Sequence, residues 1–385
     1  MFAPTAFPNE IYDYIIDHLH KNRRALSTCS LVCKDWRTTS RFHLFSIVEL
    51  HVQDVDRDLA ILSSPLATVP AYVKHLSIDA CTDVEPESGL FEKLVNGLPP
   101  MKQIKVLRLH EVDFQLSSSA KGNLFSLSRD IATLELINVN FPTSSEQTEL
   151  ISSAASLQTL FVSAITYGRH TSPKDGQRAP PLKTLQLFDT HSWHAKSPTT
   201  SSILNWLALD SQPKPSLSTL ELRGITNHHI SSICAYVHAL GNTLENIVIE
   251  CSEAAAQNAL SQELDLTNFG SLKTIVFHAP THELSRLGTK ASTWMQRILS
   301  KVSSERIQKV SFMLDFHSPV DLAGFDISGV GKLFMGGISC LSASTTKIRF
   351  EVASRYVGVD ELRKPIISHL PSLADRLEFG RGVQL

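Results

Sequence analysis

The chain of 385 residues is short of most features that announce a function. No sign of charge prevails: 36 Lys and Arg face 38 Asp and Glu, a net of −2, and charged residues make up only 19%. Without a field of one sign, nucleic acid and anionic membranes gain no bulk attraction. No apolar run reaches the roughly 18 residues that a membrane-crossing helix needs. Six cysteines are scattered at Cys29, Cys33, Cys81, Cys234, Cys251 and Cys340, with no CxxC pair, which argues against a disulfide framework in a chain this long. The sequence has no Asn-X-Ser/Thr sequon, and MFAPTAFPNE lacks the basic-then-apolar order of a secretory signal. These absences lead to an expected cytoplasmic or nuclear location.

Catalytic signatures are missing as well. No GxSxG, HExxH or GxGxxG occurs. Gly329-Val330-Gly331-Lys332 hints at a phosphate loop, but Asp326 stands where a glycine is required and Leu333 replaces Ser/Thr, so a turn is expected. The close histidines His18/His20, His191/His194 and His228/His229 have no Cys or second His at zinc spacing. Cys29 and Cys33, four apart, read as thiols on one helix face in a core or interface. No metal, cofactor or catalytic residue is expected.

What the chain does have is repetition. From residue 45 onward an apolar residue is followed by two variable positions, an apolar one, a variable one and another apolar one. The copies are Phe45-Val48-Leu50, Val73-Leu76-Ile78, Ile104-Leu107-Leu109, Ile131-Leu134-Leu136, Leu157-Leu160-Val162 and Leu182-Leu185-Leu187, then Leu217-Leu220-Leu222, Leu244-Ile247-Ile249, Leu272-Ile275-Phe277, Ile307-Val310-Phe312 and a weaker Thr345-Ile348-Phe350. The mean interval is about 30 residues. The last two apolar positions of each copy have the strand period. Segments between them have helical spacing: 145–157, 201–210, 230–240 and 282–302, the last with Leu284, Leu287, Ala291, Trp294, Met295, Ile298 and Val302 in register. Strand, helix and strand at this period imply parallel strands side by side, each unit covering its neighbour's apolar face.

This body, over about residues 45–355, resembles the leucine-rich repeat horseshoe. In that family a buried Asn or Cys eight residues after the first apolar position satisfies turn backbone groups. Here those places hold Cys81, Val112, Val139, Ile165, Thr190, Ile225, Ser252, Pro280 and Asp315. Only Cys81 matches, so an irregular solenoid is expected. Loops are expected at 168–181 and 191–200, each a plain surface insertion or a binding rim.

Residues 7–45 are different. Ile11, Ile15, Ile16 and Leu19 recur at helical spacing after Pro8, which suits a helix start. After the polar break at Lys21–Arg24, Ala25, Cys29, Val32, Cys33 and Trp36 form one side of a second expected helix, widened by Leu26 and Leu31, and a third short segment carries Phe42, Leu44 and Phe45. Roughly forty residues cannot bury all of these groups among themselves. The segment resembles the F-box through Phe7-Pro8-Asn9-Glu10-Ile11 and Val32-Cys33-Lys34-Asp35-Trp36-Arg37, with Phe7 replacing the usual Leu and a short first linker.

The resemblance implies an α/β protein in two parts: a three-helix F-box-like docking unit at 1–45, then a leucine-rich-repeat-like solenoid at 46–385 with a parallel sheet and outer helices. It implies a substrate-recognition adaptor of a cullin–RING ubiquitin ligase, without a catalytic site of its own. Phe7, Pro8, Ile11, Ile15, Leu19, Leu26, Val32, Cys33 and Trp36 would contact a Skp-family linker, and through it a cullin. The alternatives are a non-ligase scaffold that keeps the linker contact, and an enzyme with a site in the 168–200 loops. A protein target would meet the sheet side chains that alternate with the core positions. Arg108, His110, Glu135, Phe161, Phe188, Arg223 and Glu250 are the candidates, on a face of mixed charge that suits protein over nucleic acid.

Overall fold

The structure, a computed structural model, describes residues 8–80, 89–173, 177–189, 199–209, 216–280, 292–315, 325–342, 345–352 and 358–381. Strands run in chain order as β1 (Ile47–His51), β2 (His75–Asp79), β3 (Val106–His110), β4 (Thr133–Ile137), β5 (Asn140–Thr143), β6 (Thr159–Ser163), β7 (Thr166–Arg169) and β8 (Thr184–Phe188), then β9 (Thr219–Ile225), β10 (Asn246–Cys251), β11 (Thr274–Pro280), β12 (Lys309–Asp315), β13 (Lys347–Val352) and β14 (Leu377–Arg381). The helices used below are α1 (Asn9–His18), α2 (Arg23–Val32), α3 (Lys34–Phe45), α4 (Val55–Leu62), α5 (Leu90–Gly97), α6 (Ser118–Ser128), α7 (Ser144–Ser153), α8 (Thr199–Leu209), α9 (Ile230–Leu240), α10 (Ala254–Glu263), α11 (Thr293–Leu299), α12 (Ile327–Lys332), α13 (Ser339–Ser342) and α14 (Val359–His369).

Two compact units are present, Met1–Leu157 with Ile165–Pro180, and Gln158–Ala164 with Pro181–Leu385. The first holds α1–α3 and the parallel ladder β1-β2-β3-β4, with a separate parallel pair β5–β7. The second holds the parallel ladder β6-β8-β9-β10-β11-β12-β13-β14. The α/β class with a parallel sheet and intervening helices is therefore the observed architecture.

The apolar triads explain the strands. Leu76 and Ile78, Leu107 and Leu109, Leu134 and Leu136 fill the first unit's core, and the same positions from Leu160 to Phe350 fill the second's. The leading residue of most triads, such as Val73, Ile131 and Leu217, is buried too. The last copy shifts by one: Thr345 is exposed, and Thr346 takes the buried place, donating its hydroxyl to Ile307 O at 3.1 Å. In the second unit a row of rings, Phe277, Phe312, Phe350 and Phe379, stacks from strand to strand at 5.8, 5.3 and 6.2 Å between centroids.

The turns after the strands show how the chain manages without an Asn ladder. Glu111, Asn138 and Ala164 have left-handed backbones (φ 56, 52 and 54°), as does Gly224 (φ 70°). Each throws the next residue inward, so Val112, Val139, Ile165 and Ile225 are buried where the family places Asn or Cys. Turn amides instead bond the neighbouring repeat's carbonyls: Glu111 N to Ile137 O at 2.9 Å, Ala164 N to Phe188 O at 3.2 Å and Asp189 N to Arg223 O at 3.0 Å. At strand entries, two successive amides converge on one carbonyl of the preceding repeat, as Lys183 and Thr184 do on Gln158 O. Backbone pairing thus answers the demand that buried polar groups be bonded. Cys81 and Thr190 lie outside the described residues.

Several expectations need correction. The second helix of the N-terminal segment does not run through to Trp36. Cys33 is extended (φ −155°, ψ 175°), ending α2, and a new helix α3 begins at Lys34. Cys29 and Cys33 therefore share no helix face. The break places Trp36 against Tyr12 of α1, at 5.5 Å between ring centroids, so packing overrides the local helical propensity. The expected loop at 168–181 begins inside β7, and Gln177 accepts the Thr148 hydroxyl at 2.7 Å. The loop expected at 191–200 overlaps α8, which starts at Thr199, and 191–198 lie outside the described residues. Gly329 and Gly331 sit within α12, with Gly329 N bonded to the capping Asp326 carboxylate at 2.8 Å, so that segment is a helix and not a turn. Of the helix expected at 282–302, α11 supplies buried Trp294, Met295 and Ile298, while Leu284, Leu287 and Ala291 lie outside the described residues.

Candidate functional site

In the N-terminal tip, α1 carries two opposed faces. One face meets α3: Tyr12 against Trp36, the Thr39 hydroxyl bonded to the Asp13 carboxylate, and the Asp17 carboxylate 2.7 Å from His43 Nε2. Ile16 closes this contact, fully buried, as does Leu26 of α2. The opposite face carries Ile11, Tyr14 and Ile15 at 45, 64 and 48% exposure, with His18 edge-on beneath Tyr14. At the end of α2, Leu31 and Val32 are exposed as well. Ile16 is the one buried isoleucine of α1; Asp13 and Asp17 bond side chains of α3, while Ile11 and Ile15 stay on the solvent side.

The residues expected to meet a linker thus divide. Pro8, Ile11, Ile15, Val32 and Cys33 are exposed, and Leu19 and Trp36 are half-buried. Leu26 is fully buried and serves the tip's own core. Phe7 lies outside the described residues. Tyr14, absent from the sequence-based set, belongs to the same face. Its position three residues after Ile11 was the available signal, since i and i+3 share a helix side.

The target-contact candidates fall in each unit separately. In the first, Arg108 and His110 on β3 and Glu135 on β4 occupy adjoining register rows, with Arg108 3.8 Å from Glu135 and His110 3.1 Å from Asp79. His51 completes a His–Asp–His row across β1, β2 and β3. In the second, Phe161 meets the edge of Phe188 at 4.9 Å, and the Arg223 guanidinium lies over Phe188 at 4.7 Å. Arg223 is also tied to Glu221 of its own strand at 2.6 Å, and Glu221 accepts from Gln186 at 2.6 Å. Glu250 lies 3.2 Å from His278. Farther along, Arg349 and Glu351 are 2.6 Å apart. Sequence reasoning placed these side chains on one face but could not reveal that most of the charges are matched within it.

Chemical reactivity is subdued. Burial pushes the Cys234 thiol up to about 11, with Glu263 adding to the effect, and raises Cys251 and Cys340 too, so these sulfurs stay protonated. Among the described residues, no group of three or more His, Cys, Asp or Glu is disposed to hold a metal ion, and no helix is long and apolar enough to cross a membrane.

No family model matches the chain, and no curated protein matches it. Among solved structures, the chain is similar to one described as the crystal structure of the Rad7 and Elc1 complex in yeast, with a TM-score of 0.41 and 11% sequence identity, covering 97% of this chain and 87% of that chain.

Proposed function

We propose that this protein is a substrate-recognition adaptor of a cullin–RING ubiquitin ligase. In this reading residues 1–45 dock on a Skp-family linker, and the repeats of 46–385 hold a protein target. The observation that supports it most is the outward apolar face of α1, built from Ile11 and Ile15 within the F-box-like motif while acidic residues face α3. Burying several such side chains in a partner's groove, at about 1.5–3 kcal/mol each, supports micromolar or tighter docking after ordering costs. The adaptor performs no covalent step. It raises the target's effective concentration beside a charged conjugating enzyme.

The test is a pull-down with a purified Skp-family linker, comparing the wild-type chain with a Pro8→Asp/Ile11→Asp double variant. Both positions are exposed, so the variant is expected to fold and to lose the linker. Retention of the linker by a folded variant sinks the docking assignment.

A further inference from the structure

One cation stands in an apolar groove near the end of α3. The groove, of about 440 Å³, lies within the first unit, between α3, α4 and the connection that follows α4. Phe45, Ile61, Leu66 and Val69 supply its larger apolar side chains, and Arg41 its only charge. Ser64-Pro65-Leu66-Ala67 makes a tight turn, with proline at the second position, which such turns favour. Ala67 N bonds Ser64 O at 2.8 Å, and Leu66 N bonds the Ser64 hydroxyl at 3.3 Å. The turn presents Leu66 at 90% exposure, and Ile61 on α4 is 54% exposed. Single exposed aliphatic residues are ordinary. Here two of them line one groove whose volume falls in the range of ligand sites.

The Arg41 guanidinium donates to the Thr68 hydroxyl at 2.9 Å, which ties it to the groove wall. No Asp or Glu lines the groove, and no carboxylate of the described residues forms an ion pair with Arg41. Ser64 and Thr68 act as acceptors in these bonds, so each hydroxyl keeps its own hydrogen for a further acceptor. These features specify an occupant. An unmatched guanidinium calls for a carboxylate, which it can hold through two parallel N–H donors. Exposed aliphatic walls call for an aliphatic side chain beside that carboxylate. The hydroxyl hydrogens call for carbonyl oxygens, which a peptide backbone has and a hydrocarbon chain lacks.

We propose that this groove binds a short segment of another protein in which Asp or Glu stands within two residues of Leu, Ile or Val. The carboxylate pairs with Arg41, the aliphatic side chain packs against Ile61 and Leu66, and peptide carbonyls accept from Ser64 and Thr68. None of these residues is among those expected to meet a linker, so the proposal does not rest on the linker reading.

The probe is a library of random dodecapeptides, depleted on the full chain carrying Leu66→Ser and then panned on the wild-type full chain. Leu66 is almost wholly exposed, so the variant is expected to melt as wild type does. Enriched peptides are expected to share one acidic position within two residues of one Leu, Ile or Val position. A synthetic consensus peptide, amidated at its C-terminus, is expected to bind saturably in fluorescence anisotropy. Binding should weaken at least tenfold with folded Arg41→Gln, and equally when the peptide's acidic residue becomes the amide. Failure to enrich overturns the proposal, as does a consensus without an acidic position or a consensus peptide indifferent to Arg41→Gln. Two other occupants are checked with the same preparations. Displacement of the peptide by an equal concentration of decanoate would assign the groove to aliphatic acids. Sedimentation of a dimer that Leu66→Ser dissociates would assign it to a second copy of the chain. Either result overturns the proposal. Linker pull-down reports on the docking reading independently.

Discussion

The imidazole of His278 on β11 lies 3.2 Å from the carboxylate of Glu250, its register partner on β10. Burial pushes the His278 pKa down from 6.5 to about 4, and the positive charge of Arg223 adds to that shift. A folded-state value below the unfolded one means that the folded chain binds fewer protons. The stabilisation is complete above the unfolded value and is lost as pH falls from about 6.5 toward 4. The shift corresponds to a ceiling of about 3 kcal/mol, since the Glu250 carboxylate pulls the other way. Urea midpoints measured at pH 7.5 and pH 5 are expected to fall more steeply for wild type than for His278→Gln. Equal slopes would show that this imidazole is not held neutral by the fold.

Gly224 and Ala164 occupy equivalent turns with opposite tolerance. A Cβ on Gly224 would sit 1.8 Å from Asp189 O, and its φ is already left-handed at 70°. Gly224→Ala is expected to cost about 3 kcal/mol or more, because backbone and not a flexible side chain must move. Ala164 carries its Cβ at φ 54°, so Ala164→Gly relieves strain while losing chain entropy, for a net change between zero and about 1 kcal/mol of stabilisation. Denaturation curves of the two variants should move in opposite directions or leave Ala164→Gly unmoved. A stable Gly224→Ala would contradict the close approach.

These turns also show where the sequence stops being legible. The strands could be read because each triad carries its own period, and Leu107/Leu109 or Ile247/Ile249 are buried as that period requires. The absent Asn ladder could be seen, but its replacement could not. Gly224 and Asn138 are residue types that favour such a backbone; Glu111 and Ala164 are not, and their amides bond Ile137 O and Phe188 O of the next repeat. The short pair β5–β7 escaped notice for a similar reason, since Asn140–Thr143 and Thr166–Arg169 pair across distant chain and have too few apolar residues to show a period. In the tip, the apolar residues were visible but their sides were not. The break at Cys33 is a tertiary effect without Pro or Gly to mark it, and it decides which of those residues point outward.

Leu26 and Leu31 make the same point on one helix. Leu26 is fully buried, whereas Leu31 is 84% exposed. Leu26→Ala is expected to destabilise the tip by about 2–5 kcal/mol, the range for emptying a buried leucine site. Leu31→Ala should stay within about 0.5 kcal/mol, as surface changes usually do. Hydrogen exchange across α1–α3 would resolve the two without requiring a global transition. Comparable loss of protection in both variants would mean that Leu31 is covered by the chain itself and is not free for a partner.

Arg376 and Lys301 each tie several main-chain carbonyls of the second unit together. The Arg376 guanidinium, 9% exposed, donates to Thr346 O at 2.8 Å, Leu341 O at 2.6 Å and Phe334 O at 3.3 Å. Burial lowers its pKa, but an arginine remains charged across any working pH. Lys301 Nζ closes the end of α10 through Ser261 O, Gln262 O and Leu264 O at 2.9, 2.7 and 3.0 Å, where a positive charge also meets the negative end of the helix dipole. An ammonium has three freely rotating donors and a guanidinium a planar fork, so the two sites should not be interchangeable. Arg376→Lys is expected to cost about 2–3 kcal/mol by leaving at least one buried carbonyl unbonded. Lys301→Met keeps the aliphatic stem and removes only the donors, with an expected cost of about 1–2 kcal/mol that shrinks in high salt for the dipole part alone. Denaturation in low and high salt separates the two contributions at Lys301. A loss that vanished entirely in salt would mean that charge, and not carbonyl capping, is what the lysine supplies.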